Sequence, residues 1–214
     1  KRMYNVYPKL VSYYPGEYEN PDNPVLSYDK EKAMGLLAKA GYHSRDPQTG
    51  LLINEEGKPL KVTLTYRDIG LKPHWEIFQN ACKEVGISLT LNLQQSSASF
   101  NVAQHREFEM YSGAWGASSF PNPETIWKST PKKGSNNLTG LKSEKIDKWI
   151  EEYNKEFDYQ KRVQIMRQID RELVEINPYI LTWYAPFKRL LWWNKYRYPP
   201  GIVIRYDDQY YVNA

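Results

Sequence analysis

The chain has 214 residues, 41% hydrophobic and 25% charged, with 29 Lys and Arg against 25 Asp and Glu for a net charge of +4. That composition excludes a disordered or collagen-like chain, and 18 Tyr, 7 Trp and 6 Phe supply the bulk for a core that needs no staple. No run of about eighteen apolar residues occurs, so no segment is expected to span a bilayer, and the scattered basic residues argue against nucleic acid as a partner.

Residues 1–24 hold Pro8, Pro15, Pro21, Pro24 and Gly16 with no sustained period, which predicts an extended linker or hinge; Lys1 to Asn5 form no signal peptide, though such a segment could have been removed. From Tyr28 to Ala40 apolar residues recur at helical spacing; Ser27 or Asp29 can cap the start, and Gly41 suits a left-handed stop. Asp46 to Gly50 is turn chemistry. Leu51–Ile53 and Leu60–Tyr66 flank Asn54–Pro59, which reads as a hairpin. Pro73 then begins a helix carrying Trp75, Ile77, Phe78, Ala81, Cys82 and Val85, and Gly86 ends it. Ile87–Leu93 alternates as a strand, Ser96 or Ser97 can cap a short helix with Phe100 and Val102, and Phe108–Tyr111 reads as a further strand. The order β, α, β, α, β implies parallel pairing through right-handed crossovers, because parallel neighbours need a connection long enough to hold a helix.

Tyr111–Pro123 is a small-residue loop that carries the aromatic Trp115 and Phe120 and the prolines Pro121 and Pro123, placed where open α/β sheets hold ligands, beyond the carboxyl end of a parallel strand. Two helices follow. One runs from Ser143 to Ile150; the other, capped by Asp158, runs from Tyr159 to Ile176 with Val163, Met166, Ile169, Leu173 and Ile176 as a core stripe. Asn177-Pro178 ends it, Tyr179–Tyr184 reads as a strand, and the tail from Pro186 is rich in Trp and Tyr.

The motifs of catalysis are absent. His43, His74 and His105 are far apart and lack Cys partners, which argues against zinc, and no nucleotide loop or nucleophile elbow occurs. The lone Cys82 lies in a helical pattern and reads as a small buried thiol. Glu55-Glu56, Glu151-Glu152 and Asp207-Asp208 are neighbours in sequence, so on a helix they point apart and in turns they meet water. What remains is a binding loop whose backbone amides, Ser112, Ser118, Ser119 and the Trp115 ring can hold an amphipathic ligand without transforming it.

Several runs now carry a resemblance: Tyr28–Tyr42 with the turn after it and Gly57–Leu64, Ala81–Ile87, Phe108–Met110 with Gly113-Ala114-Trp115, Lys145–Ile150, and Val163–Leu181. In that order and spacing they resemble the C-terminal lobe of the oligopeptide- and dipeptide-binding proteins of bacterial ABC importers, the extracellular solute-binding proteins of family 5. The resemblance covers nearly the whole chain. It implies a type II periplasmic-binding-protein-like α/β lobe with a mixed, largely parallel sheet flanked by helices, part of a two-lobed protein whose N-terminal portion is missing here. It divides the chain into a linker at 1–24, a ligand-binding lobe at 25–185 and a tail at 186–214 that crosses back to the other lobe. An aromatic tail without that lobe is expected to expose apolar surface that a partner covers.

By the same resemblance the protein captures peptides or modified peptides by lobe closure and delivers them to ABC transporter permease subunits. It would be periplasmic, or extracellular and membrane-anchored, with no catalysis, cofactor or metal. Ligand contacts are expected from Ser112, Trp115, Gly116, Ala117, Ser118, Ser119 and Phe120, with Gln95 and Asn137. One departure bears on specificity. Peptide binders of the family often place an Asp after the Trp of this loop to meet the peptide ammonium; Ser118 stands nearest that position, and Ser112 stands where some carry an Arg. A blocked or modified peptide therefore fits better. Ser12–Gly16 and Trp192–Tyr196 further resemble the branch that takes peptide–nucleotide antibiotics and muropeptides. Two rivals stay open: a carbohydrate-binding or glycan-active protein with an aromatic platform, which as an enzyme needs two carboxylates facing a cleft, and a folding-helper or signalling protein that has kept the lobe.

Overall fold

The Asp29 carboxylate accepts the N–H of Lys32 and so satisfies one of the unpaired donors at a helix start. In the computed structural model, which describes residues 3, 6, 7, 28–116, 121–129 and 135–183, this begins α1 (Lys30–Lys39), and Gly41 at φ +92° turns the chain out of it. The chain divides into two compact units, one drawn from Leu26–Ala114 and Lys132–Leu138, the other from Lys1–Val25, Trp115–Pro131 and Thr139–Ala214.

Within the first unit, β1 (Ser44–Arg45) and β2 (Leu52–Ile53) form a small antiparallel pair around the Asp46–Gly50 turn. Beyond it β3 (Lys61–Tyr66) leads through a short 3₁₀ turn into α2 (Lys72–Glu84), and β4 (Ser88–Leu93) leads into α3 (Ser96–His105), which returns to β5 (Met110–Tyr111). The three longer-range strands make one sheet in the order β4-β3-β5, all parallel, with Leu64 opposite both Leu91 and Met110. The expected parallel pairing is therefore present. Leu64, Cys82 and Leu89 are its buried centre, with Val62, Trp75, Phe78, Ile87, Leu91 and Met110 packed around them. Burial also pushes the Cys82 thiol pKa up, away from the reactive thiolate.

Two local expectations need correction. The hairpin expected between Leu51–Ile53 and Leu60–Tyr66 closes only at its turn, where Ile53 bridges Pro59 and the Leu60 N–H reaches the Leu52 carbonyl. Both edges of β3 are taken by β4 and β5, so β2 finds its ladder partner in β1 instead. Ser96 does not cap α3 but is its first residue; Gln95 occupies the cap position and makes no side-chain capping bond.

The second unit is helical. α4 (Glu124–Trp127), a four-residue turn the sequence pattern did not signal, precedes α5 (Glu144–Lys155) and α6 (Tyr159–Ile176). Ser143 caps α5 through the Ile146 N–H and Asp158 caps α6 through the Lys161 N–H. Trp127, Ile146, Ile150, Tyr153, Val163, Met166, Ile169 and Leu173 form its continuous core, each large apolar side chain stabilising the fold by about 1.5–3 kcal/mol. Asn177 ends α6 at φ +54°. The strand expected over 179–184 is not formed at 179–182, which run as irregular chain. Apart from Met3, Val6 and Tyr7, the expected linker lies outside the described residues, as does the whole tail at 186–214.

Candidate functional site

All three parallel strands of the first unit point their carboxyl ends the same way, at Tyr66, Leu93 and Tyr111. The chain leaving β4 and β5 is held close to β3 by backbone bonds: the Gln94 N–H donates to the Tyr66 carbonyl at 2.9 Å and the Ser112 N–H donates to the Thr65 carbonyl at 2.8 Å. This edge carries two of the expected contacts. Ser112 is half-buried, and Gln95 is exposed with a side chain that no capping bond consumes. Beside them the Ser99 hydroxyl lies 3.4 Å from the Tyr111 hydroxyl, and the Gln94 Oε1 is enclosed without a hydrogen-bond partner.

Asn137 belongs to the same unit but is only 2% exposed. Its backbone carbonyl accepts from both Nε and Nη2 of Arg106, at 3.2 and 3.0 Å, next to the left-handed turn that Arg106 itself makes at φ +57°. As placed, Asn137 is part of the interior.

Trp115 and Gly116 belong to the second unit, and both are exposed. The Trp115 ring is 44% exposed, yet its indole N–H donates to the Tyr179 hydroxyl at 3.0 Å, across 64 residues of sequence. Tyr179 in turn packs its ring on Trp127, with centroids 4.9 Å apart and planes tilted by 51°. Trp127 is 1% exposed and donates its own indole N–H to the Tyr7 hydroxyl at 3.0 Å. The chain of contacts ends on Asp170, whose Oδ1 accepts the N–H groups of Val6 and Tyr7 at 3.0 and 3.3 Å. Ala117, Ser118, Ser119 and Phe120 lie outside the described residues.

The electrostatics follow burial. Enclosure pushes the Tyr179 hydroxyl up to about 12 while the Trp115 donor pulls the other way, and it holds Tyr7 above the ordinary phenol range. The Asp170 carboxyl is pushed up to about 7, because burial outweighs the two backbone N–H groups that favour its charged form. Its Oδ2 is buried without a partner. None of Tyr7, Trp127, Asp170 or Tyr179 was singled out as a contact from the sequence. A signal for Asp170 existed: it stands seven residues after Val163 and three before Leu173, so the apolar stripe of α6 carries a carboxylate.

One carboxylate of each described sequence pair meets a lysine, Glu56 with Lys58 and Glu151 with Lys128 at 2.9 Å, and Asp207-Asp208 lies outside the described residues. Among the described residues no group of three or more His, Cys, Asp or Glu is gathered closely enough to hold a metal ion.

Residues 1–137 match the family model for bacterial extracellular solute-binding proteins, family 5 (middle region). The chain is 25% identical over 168 residues to the oligopeptide-binding protein AppA of Bacillus subtilis (strain 168), an alignment that covers 76% of this chain and 30% of the relative. Among solved structures it is similar to AppA of Bacillus subtilis in complex with a nonapeptide, at a TM-score of 0.75 and 22% identity over 86% of this chain and 36% of that one. It is similar also to the periplasmic binding protein DppA from Helicobacter pylori in complex with the peptide STSA, at a TM-score of 0.70 and 19% identity over 85% of this chain and 33% of that one. These likenesses give the fold as that of the type II periplasmic binding proteins, and the chain spans about 30% of the length of the curated relatives it matches.

Proposed function

The chain belongs to the bacterial extracellular solute-binding proteins of family 5, and on that premise we propose that it is the ligand-gripping part of a peptide-binding component of an ABC importer. The supporting observation is Trp115: a tryptophan just beyond the last parallel strand, more than two-fifths exposed, with its polar edge already bonded and its ring free to pack on a ligand. Ser112 and Gln95 are proposed contacts in their own right, at the carboxyl edge of the sheet, where open α/β folds receive ligands. Relatives described as oligopeptide-binding support a peptide as the cargo.

The finer reading rests on chemistry in the sequence. With Ser118 nearest the position where peptide binders of the family often carry an Asp, and Ser112 where some carry an Arg, no charge clamp awaits a free peptide ammonium, so the preferred cargo is a blocked or modified peptide of the antibiotic or muropeptide kind. Capture proceeds by closure of two lobes, because a ligand shifts a population only when it makes contacts in the closed form that the open form lacks. The missing lobe comes from the rest of the same protein, which captures its cargo in the periplasm, or outside the cell while anchored to the membrane, and passes it to the membrane permease subunits of the importer. Incubating the purified protein with a mixed pool of synthetic peptides and muropeptides, followed by native mass spectrometry, tests this. Retention of unaltered peptide-bearing species is expected; cleaved species, or retention of sugars alone, would replace the reading.

A further inference from the structure

Trp115 stands on a loop, and a ring on a loop binds well only if its orientation is fixed before the ligand arrives. Its indole N–H is fixed on the Tyr179 hydroxyl at 3.0 Å. Tyr179 is itself held on two sides. Behind it in sequence, α6 ends at the left-handed Asn177 followed by Pro178, and beside it lies Trp127, buried in the helical core with Ile146, Ile150 and Met166. The loop ring is thus tied to the buried core of its unit. The same bond consumes the single polar donor that a tryptophan side chain owns, so what the exposed ring offers is an apolar face.

We propose that Tyr179 is a positioning residue for ligand recognition: it holds Trp115 so that the ring face meets the ligand, and the group received there is a flat or apolar side chain rather than a hydrogen-bond acceptor. This rests on the peptide-binding reading and adds to it a residue outside the expected contact set and a chemical preference at one subsite. Tyr179→Phe is the informative change, because it keeps the ring packed on Trp127 and removes only the acceptor oxygen.

The test joins a ligand-free and a ligand-bound measurement on the complete two-lobed protein that the peptide-binding reading implies. In ¹⁵N-labelled protein the indole signal of Trp115 is identified by its loss in Trp115→Phe; in Tyr179→Phe it is expected to shift and to exchange faster with water. Calorimetry then uses synthetic N-acetylated nonapeptides that differ at one central position, Trp or Leu against Asp. The wild type should favour Trp and Leu, Tyr179→Phe should weaken those peptides by roughly three- to tenfold, and the double variant should bind no worse than Trp115→Phe alone. An unmoved indole signal, an unchanged affinity in Tyr179→Phe, or a preference for the Asp peptide overturns the positioning role while leaving peptide binding intact. A wild type that binds none of the three removes the peptide reading and this proposal with it.

Discussion

Trp115 and Asp170 sit at the two ends of one chain of contacts and make opposite demands. Trp115 is exposed, and if its ring packs on cargo, Trp115→Ala weakens binding by about 1–3 kcal/mol, measured by calorimetry with a retained peptide; an unchanged affinity counts against the contact. Asp170 is a matter of stability. Its carboxyl, ordinarily near 3.8, is raised to about 7 in the fold, so between those values the folded state holds a proton that the unfolded chain releases. The contribution of Asp170 is therefore fully present below 3.8 and is lost as pH rises through about 7. Asp170→Asn keeps an acceptor for the Val6 and Tyr7 N–H groups and removes the titration. Urea unfolding of the two proteins side by side should show the variant gaining on the wild type as pH rises from about 4 to 7, by at most on the order of 4 kcal/mol. A constant difference across that range would mean that Asp170 does not titrate there.

Among the elements, the caps of α1, α5 and α6 were legible, whereas the cap of α3 and the ladder partner of β2 were not. Asp29, Ser143 and Asp158 each reach a backbone N–H three residues on, a geometry that needs only the residues in between. Ser143→Ala should accordingly lower stability by about 1 kcal/mol in denaturant titration, with no effect on ligand affinity. Gly86 was legible as a helix stop, and it has a second role that was not. At φ +87° its missing Cβ leaves room for Leu52, whose backbone nitrogen stands 3.0 Å from where that atom would lie and whose N–H donates to the Gly86 carbonyl. Gly86→Ala should cost more than about 1 kcal/mol, because both the backbone angle and the bonded Leu52 resist it. Unaltered stability would show that the β1–β2 pair shifts freely. The hairpin around Asn54–Pro59 was misread because a strong local turn says nothing of which neighbours later claim β3. Four-residue α4 is too short to display a period.

For the molecule as a whole, a net charge of +4 spread over 214 residues supplies no strong field, and Ser112 and Ser118, proposed to meet the cargo, carry no charge of their own. N-terminal acetylation of a bound peptide is therefore expected to keep or raise its affinity, and a tenfold preference for the free amine would reveal a clamp elsewhere. The sequence by itself determined the longer helices, the caps of α1, α5 and α6, the stops at Gly41 and Gly86, the alternation of β4, the α/β order and, through the runs from Tyr28 to Leu181, the family resemblance that the match over residues 1–137 bears out. These are patterns written within a few residues or in their linear spacing, where backbone geometry alone fixes the outcome. Only the tertiary structure decided that β2 pairs with β1, that Asp170 is enclosed under Val6 and Tyr7, and that Trp115 spends its indole N–H on Tyr179. Each of those depends on how far-separated segments meet, since burial and hydrogen-bond choice are settled by which distant group the fold brings within bonding distance while excluding water.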